Sequence, residues 1–164
     1  MKEKYQKLTA KSAERFAKSC FKKIKGEDEY EFHQLHSDGV VKTALKLAEG
    51  KKVDKNILII SGWLHDTGRS IGKEGHAENS FKLAEQKFGK LPEKIKDCIL
   101  NHGRSGKPKS KEAKIIQIAD KLSIVEDPRI FKLLFSKKKY RKESLEMYGF
   151  MFEELLKILK RYEF

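Results

Sequence analysis

Apolar residues along this chain recur mostly at three- and four-residue spacing, the period of a helix and not the alternation of a half-buried strand. Residues 7–25 carry Leu8, Phe16, Cys20, Phe21 and Ile24 at such intervals and predict an amphipathic first helix; "GEDEYE" then reads as a break. A second helix is expected over 32–49, with Val40, Ala44, Leu47 and Ala48 inward and Gly50 at its end. The stretch "NILIISGWLH" is apolar nearly all round and therefore buried in whichever element it forms. Helical neighbours and the lack of a partner strand favour a helix over 54–66. After the glycine-punctuated "TGRSIGKEG", a helix runs from His76 to Phe88 with Ala77, Phe81 and Ala84 on one face. Pro92 suits the first turn of the next, which extends to His102. A second loop, "GRSGKPKS", precedes an apolar-faced helix over 110–126 that Pro128 closes, and a last helix covers 139–161 with Tyr148, Phe152, Leu155 and Leu159 in register. The expected architecture is all-α, a single helical domain over 1–164 built from six or seven helices.

Composition agrees with one core. The 164 residues suit one domain, and 38% hydrophobic against 37% charged leaves enough apolar surface to bury beneath a heavily charged exterior. Three prolines and eleven glycines are few for an all-β chain of this length. No apolar run is long enough to cross a bilayer, and "MKEKYQKLTAKSAERF" lacks the apolar stretch of a secretory signal, so a cytoplasmic protein without a membrane partner is expected. Cys20 and Cys98 fit a reducing compartment and form no disulfide framework. The net charge of +13 admits nucleic acid, anionic lipid or a phosphorylated small molecule as partner, or a lysine-rich solvated surface with no partner at all. The lysines are spread along the chain; the one dense run, "SKKKYRK" over 136–142, is where a nucleic-acid footprint would lie. There is no internal repeat and no low-complexity segment.

Several polar residues occupy positions where the helical pattern asks for apolar ones. Asp120 shares a face with Ile116 and Ile124, and a bare carboxylate there carries a large desolvation cost, so it is paired, protonated or bound to a cation. His36 lies on the face of Val40, Ala44 and Leu47, and His65 and Asp66 end the most apolar helix in the chain. Imidazole and carboxylate together suit a divalent metal with mixed nitrogen and oxygen ligation. Taken singly, each has another explanation. A histidine on an apolar face is more often a hydrogen-bonded core residue than a ligand, Asp120 can pair with a lysine or arginine, and His65 can cap a helix C-terminus. The coincidence of several helix faces each giving up a core position carries the metal reading. His76, opening a helix, and His102, closing one on the face of Ile95, Cys98 and Ile99, add to the set. His33 reads as a surface residue or one that supports a ligand from behind. Cys98 and His102 stand four apart, a spacing zinc pairs use, but without a second such pair Cys98 reads as an ordinary buried thiol.

A histidine, then His-Asp, then a distant aspartate, in "HSDGVVKTALKLAEG", "LIISGWLHDTGR" and "IIQIADKLS", resembles the signature of the HD-domain metal-dependent phosphohydrolases over roughly residues 33–126. The resemblance implies a helical bundle in which His36, His65, Asp66 and Asp120 hold a first metal. "GHAENSFKLAEQKFG" and "IKDCILNHGRSG" resemble segments of binuclear members, which implies His76 and His102 on a second metal with Asp66 bridging the two. The nearest likeness of "ILNHGRSGKPKSKEAKIIQIADKLS" is to the bacterial symmetrical dinucleoside-tetraphosphate hydrolases. Where the family often has lysine after the glycine of its His-Asp motif, this chain has Arg69, which can still grip a phosphate bidentately. No second-domain sequence is recognisable, which implies a stand-alone member. The implied activity is hydrolysis of a phosphomonoester, phosphodiester or phosphoanhydride, with a nucleotide the favoured substrate because the family leans that way. Asp66, Arg69, Arg104 and Lys121 are the expected catalytic set, whereas Lys73 reads as a solvated charge. Oxygen-rich ligation favours manganese, iron, magnesium or nickel over a closed structural zinc site, one or two ions per chain. The alternative is a non-catalytic metal-containing module that binds nucleic acid or a signalling nucleotide through its basic surface. The stripe in "ESLEMYGFMFEELLKILKRY" serves either as intramolecular core or as a dimer face, which leaves the oligomeric state open.

Overall fold

Each helix starts where the local chemistry satisfies its free amide groups. In the computed structural model, which describes residues 5–136 and 141–162, Thr9 caps α1 (Ala10–Phe21) in a reciprocal box with Ser12. α2 (Glu27–Leu47) begins directly after Gly26, whose φ of 102° suits only glycine. The acidic run after it therefore opens the helix, where negative charge suits the dipole, and is not the break that its composition suggests. Asp54 caps α3 (Lys55–Leu64) by accepting from the Asn56 and Ile57 amides, and a short 3-10 turn over Thr67–Ser70 follows. α4 (His76–Phe88) is bounded by Gly75 and Gly89, both at positive φ. α5 (Glu93–Asn101) starts after Pro92, and α6 (Lys111–Glu126) after Ser110, whose hydroxyl accepts from the Ala113 amide. Pro128 ends nothing: it is the first residue of α7 (Pro128–Phe135), a short helix that the sequence pattern misses. α8 (Arg141–Leu159) closes the chain, giving eight α-helices and no strand among the described residues. Lys137 to Tyr140, the heart of the dense basic run, lie outside the described residues.

The centre of the fold is α6, which packs most extensively against α2 and α8, with α3 wedged between α1, α2, α5 and α6. One apolar cluster joins α1, α3, α4 and α5 around Phe21, Trp63, Leu64 and Ile99, and a second joins α2, α3 and α6 around Val40, Leu58 and Ile116. Each fully buried leucine or isoleucine in them contributes about 2 kcal/mol. Helices α2 and α3 approach closely because Gly62 has no side chain: a Cβ there would stand 2.7 Å from Val41 Cγ2. Along α8 the buried register is Leu155 and Ile158, which meet Ile118; the expected partner Phe152 is 51% exposed. No helix among the described residues is long and apolar enough to cross a membrane.

Candidate metal centre

The helical packing brings to one place every residue that broke the apolar pattern. His36 comes from α2, His65 from the C-terminal end of α3, Asp66 from the start of the 3-10 turn, His76 from the first position of α4, His102 from the end of α5 and Asp120 from α6. They form two groups, His36 with His65 and Asp120, and Asp66 with His76 and His102, each with ligand atoms within 4.8 Å of one another. In the first, His36 Nε2 is 2.9 Å from Asp120 Oδ1 and 3.3 Å from His65 Nε2. In the second, His76 Nε2 is 3.1 Å from His102 Nε2. Asp66 joins the two: its Oδ1 lies 3.5 Å from His76 Nε2 and 3.7 Å from His102 Nε2, while its Oδ2 lies 3.9 Å from both His36 Nε2 and His65 Nε2.

The orientation of the imidazoles tests whether a metal fits. Carbonyl oxygens only accept, so the Nδ1 atoms of His65, His76 and His102 carry protons and donate to the carbonyls of Gly62 at 2.9 Å, Lys73 at 3.2 Å and Ile99 at 2.7 Å. Each Nε2 of the neutral ring is then a lone pair turned inward. In each group two Nε2 atoms face each other at close range, an arrangement that needs a cation or a shared proton between them. Backbone carbonyls fixing the tautomer from behind are the usual support of metal-bound histidine. The donor set, imidazole nitrogen with ionised carboxylate oxygen, fits a divalent transition metal.

The carboxylates are ionised in spite of their burial. Burial pushes the Asp66 carboxyl up, but His65, His102, His33 and Arg69 around it outweigh that and hold it well below the ordinary aspartate range. For Asp120, burial is likewise outweighed by Lys121, His36 and His65. Among the histidines, burial pushes His36 and His76 down, keeping their rings neutral, while the two aspartates overcome burial at His65 and raise it.

A cavity of about 550 Å³ opens over these groups. Arg69 Nε stands 3.3 Å from Asp66 Oδ1 and its Nη2 3.4 Å from His76 Nε2, so the guanidinium lies against the second group at the cavity mouth. The Lys121 ammonium bonds Asp120 Oδ2. Arg104 lines the cavity but is 61% exposed and turned to Glu154, its Nε 3.4 Å from Oε2, so it stands at the rim and not beside the metal-binding groups. Lys73 also lines the cavity. Cys98 belongs to neither group: it is buried in the apolar cluster of α2, α3 and α6, where burial pushes its thiol up to about 12. His33 is closer than a surface position, its buried Nδ1 unpartnered and 3.7 Å from Asp66 Oδ2. Its signal was its place three residues before His36, on the same helix face. The opposite wall was not foreseen: Phe32, stacked on His36, faces the cavity with Ile124, Leu134, Met147 and Met151.

The profile of the HD domain matches residues 35–124, more than half of the 164-residue chain. The chain belongs to the HD domain family. Within the matched span lie His36, His65, Asp66, His76, His102 and Asp120, whereas Phe32, His33 and the cavity wall from α7 and α8 fall outside it. This HD domain is also similar to a deoxyguanosinetriphosphate triphosphohydrolase-like protein of Caldanaerobacter subterraneus subsp. tengcongensis, 27% identical over 117 residues that cover 60% of this chain and 34% of that protein. The chain thus spans about a third of the length of the curated relative it matches. No solved structure matches it.

Proposed function

We propose that the chain is a metal-dependent phosphohydrolase acting on a nucleotide, with His36, His65 and Asp120 holding one divalent ion, His76 and His102 a second, and Asp66 bridging them. The observation that carries this reading is the division of Asp66, one carboxylate oxygen facing each group of ligands. Bound there, divalent ions supply Lewis acidity at a phosphoryl oxygen and bring hydroxide within reach of neutral pH. The chain's own groups do the rest. The ionised Asp66 and Asp120 keep negative charge at the centre, where it holds the cations. Arg69, anchored on Asp66 at the mouth, presents its remaining N–H groups to non-bridging phosphate oxygens, and Lys121 adds a second cation on the Asp120 side. Arg104 and Lys73 at the rim neutralise further phosphates of a longer substrate.

Two observations favour a nucleotide. The cavity sets cations and ligand groups against an apolar wall of Phe32, Ile124, Leu134, Met147 and Met151, a surface for a planar base. The relative of similar sequence carries a nucleoside triphosphate in its name. Two imidazoles to each carboxylate, in a cavity open to solvent, suit a divalent first-row transition metal such as manganese, iron or nickel in a catalytic and not a closed structural site. The test is a panel of nucleoside mono-, di- and triphosphates and a generic phosphodiester, assayed with each metal on the native chain and on Asp66→Asn. Turnover that needs added metal and disappears in the variant supports the proposal. Pure protein that binds metal yet turns over nothing overturns it and leaves the non-catalytic module.

A further inference from the structure

A second cavity, of about 630 Å³, shares no lining residue with the one over the metal-binding groups. Its rim carries Lys51, Lys52, Lys111, Lys114 and Arg161, and no acidic residue lines it. Some surface cations elsewhere are matched locally, such as Lys18 with Glu14, Lys42 with Asp38 and Lys94 with Glu112; what sets the rim cations apart is that five of them surround one cavity. Lys51, Lys52, Lys111, Lys114 and Arg161 have no carboxylate ion pair among the described residues. They converge from three parts of the chain, the turn after α2, the first turns of α6 and the end of α8, and leave a concave concentration of positive charge. The floor is apolar, made by Val53, Ile115 and Ile118, and Lys114 Nζ sits 5.5 Å from the centre of the Tyr162 ring at one side. On α6 the lining residues Lys111, Lys114, Ile115 and Ile118 follow helical spacing, so one face of that helix builds the site.

The same residues reach the metal centre. Arg161 Nη2 donates to the Arg104 carbonyl at 2.9 Å, and the Tyr162 hydroxyl bonds Gln117 Oε1. Gln117 is fully buried, and its amide nitrogen donates to the carbonyls of Asn101 at 3.2 Å, Gly103 at 2.8 Å and Gly106 at 3.2 Å. Gln117 and Arg161 are thus two of the ties that hold the segment carrying His102 and Arg104, and both connect it to the wall of the basic cavity. We propose that this cavity binds a small molecule bearing several phosphate groups, and that its occupation tightens the 101–106 segment beside the metal centre. The concave shape, the five cations around it and the apolar floor favour a compact polyphosphate-bearing ligand over an extended nucleic-acid backbone.

Inorganic tripolyphosphate is the probe, titrated calorimetrically into the full chain in excess EDTA, so that no divalent ion contributes. The expected result is saturable binding that Lys111→Ala/Lys114→Ala weakens about tenfold or more, while Arg69→Ala, at the other cavity, leaves it unchanged. Backbone hydrogen exchange over 101–106 is expected to slow when tripolyphosphate is added to the native chain and not when it is added to the double variant. Both readouts, binding and exchange, are made without an activity assay, so the outcome is independent of the hydrolase proposal. Absence of binding, binding indifferent to the double substitution, or binding lost in Arg69→Ala overturns the site. Unchanged exchange on binding overturns the link to the metal centre. Displacement of tripolyphosphate by single-stranded oligonucleotides with an affinity that climbs with their length overturns the small-molecule ligand in favour of nucleic acid.

Discussion

At the scale of single residues, Asp66 is the position both ligand groups share, and two neighbours show how finely it is held. His33 touches neither group's imidazoles, but its buried Nδ1 is 3.7 Å from Asp66 Oδ2. His33→Ala is expected to lower metal affinity and activity by about 10- to 100-fold, the range for residues that orient a ligand from behind. Asp66→Asn should abolish activity and reduce the metal content measured by elemental analysis. Equal losses in the two variants would mean that His33 is itself a ligand. Gly68 acts through packing. A Cβ on it would lie 2.2 Å from the His76 carbonyl and 2.5 Å from the Ser80 amide, both backbone atoms that cannot step aside. Gly68→Ala therefore has to push the start of α4 outward and His76 with it. It should lower metal occupancy at the second group, while the His36, His65 and Asp120 group keeps its ion. The candidate ligand positions His36, His65, Asp66, His102 and Asp120 stood out in the sequence because each puts a buried polar group where the helical pattern asks for an apolar one, and burying an imidazole or carboxylate demands a partner. The cations were less so, since a lysine-rich chain offers many arginines and lysines of equal merit: Arg69 and Lys121 reach the centre, whereas Arg104 turns to Glu154.

At the scale of elements, the joint between α6 and α7 is the place where local chemistry overruled the obvious signal. Proline after a helix reads as a stop, yet Asp127 ends α6 and caps α7, its Oδ1 accepting from the Arg129 amide at 2.9 Å, so that Pro128 becomes a first-turn residue. Asp127→Ala is expected to cost about 1 kcal/mol through the lost cap, with a further loss where Arg129 is released from its paired contacts. The sign with pH follows from the carboxylate. Burial pushes the Asp127 carboxyl up, but its bonds to Arg129 outweigh that and bring it below the ordinary value of 3.8. A depressed folded-state value stabilises the protein above the unfolded-state value and loses that contribution as pH falls through the folded one. Urea unfolding should therefore separate native and variant chains at pH 7 and bring them together in acid well below 3.8. A gap that persists in acid would assign the effect to packing alone. Helices α3, α4 and α6 were readable within a residue or two because capping residues or glycines flank them, and α5 because Pro92 marks its start. On α8 the pattern put Tyr148, Phe152, Leu155 and Leu159 in register, and only contact with Ile118 shows that Leu155 and Ile158 are the buried pair and Phe152 is not.

At the scale of the whole molecule, the residues around the candidate centre come from five helices and the turn after α3, so an ion held there ties together most of the fold. The all-helical pattern supplies the elements, and the resemblance of the sequence to the HD-domain signature implies that these residues meet. Neither implies the apolar cavity wall, because Leu134, Met147 and Met151 meet Phe32 only through the packing of α7 and α8. The unfolded chain scatters these ligands and binds metal weakly, so metal binding adds to folding stability by mass action. A free ion at a hundred times its dissociation constant contributes about 2.7 kcal/mol, which raises the melting temperature of a chain this size by about 5 to 11 °C. Stripping metal with EDTA should lower the transition by that amount, and manganese or nickel should restore it in a concentration-dependent way. If two ions bind with different affinities, the melting temperature rises in two steps as metal is added, and Asp120→Ala and His76→Ala each remove a different step. A melting temperature indifferent to EDTA and to added metal, in protein shown to be folded, would mean that the two groups are satisfied by protons alone and would remove the basis for a metal-dependent activity.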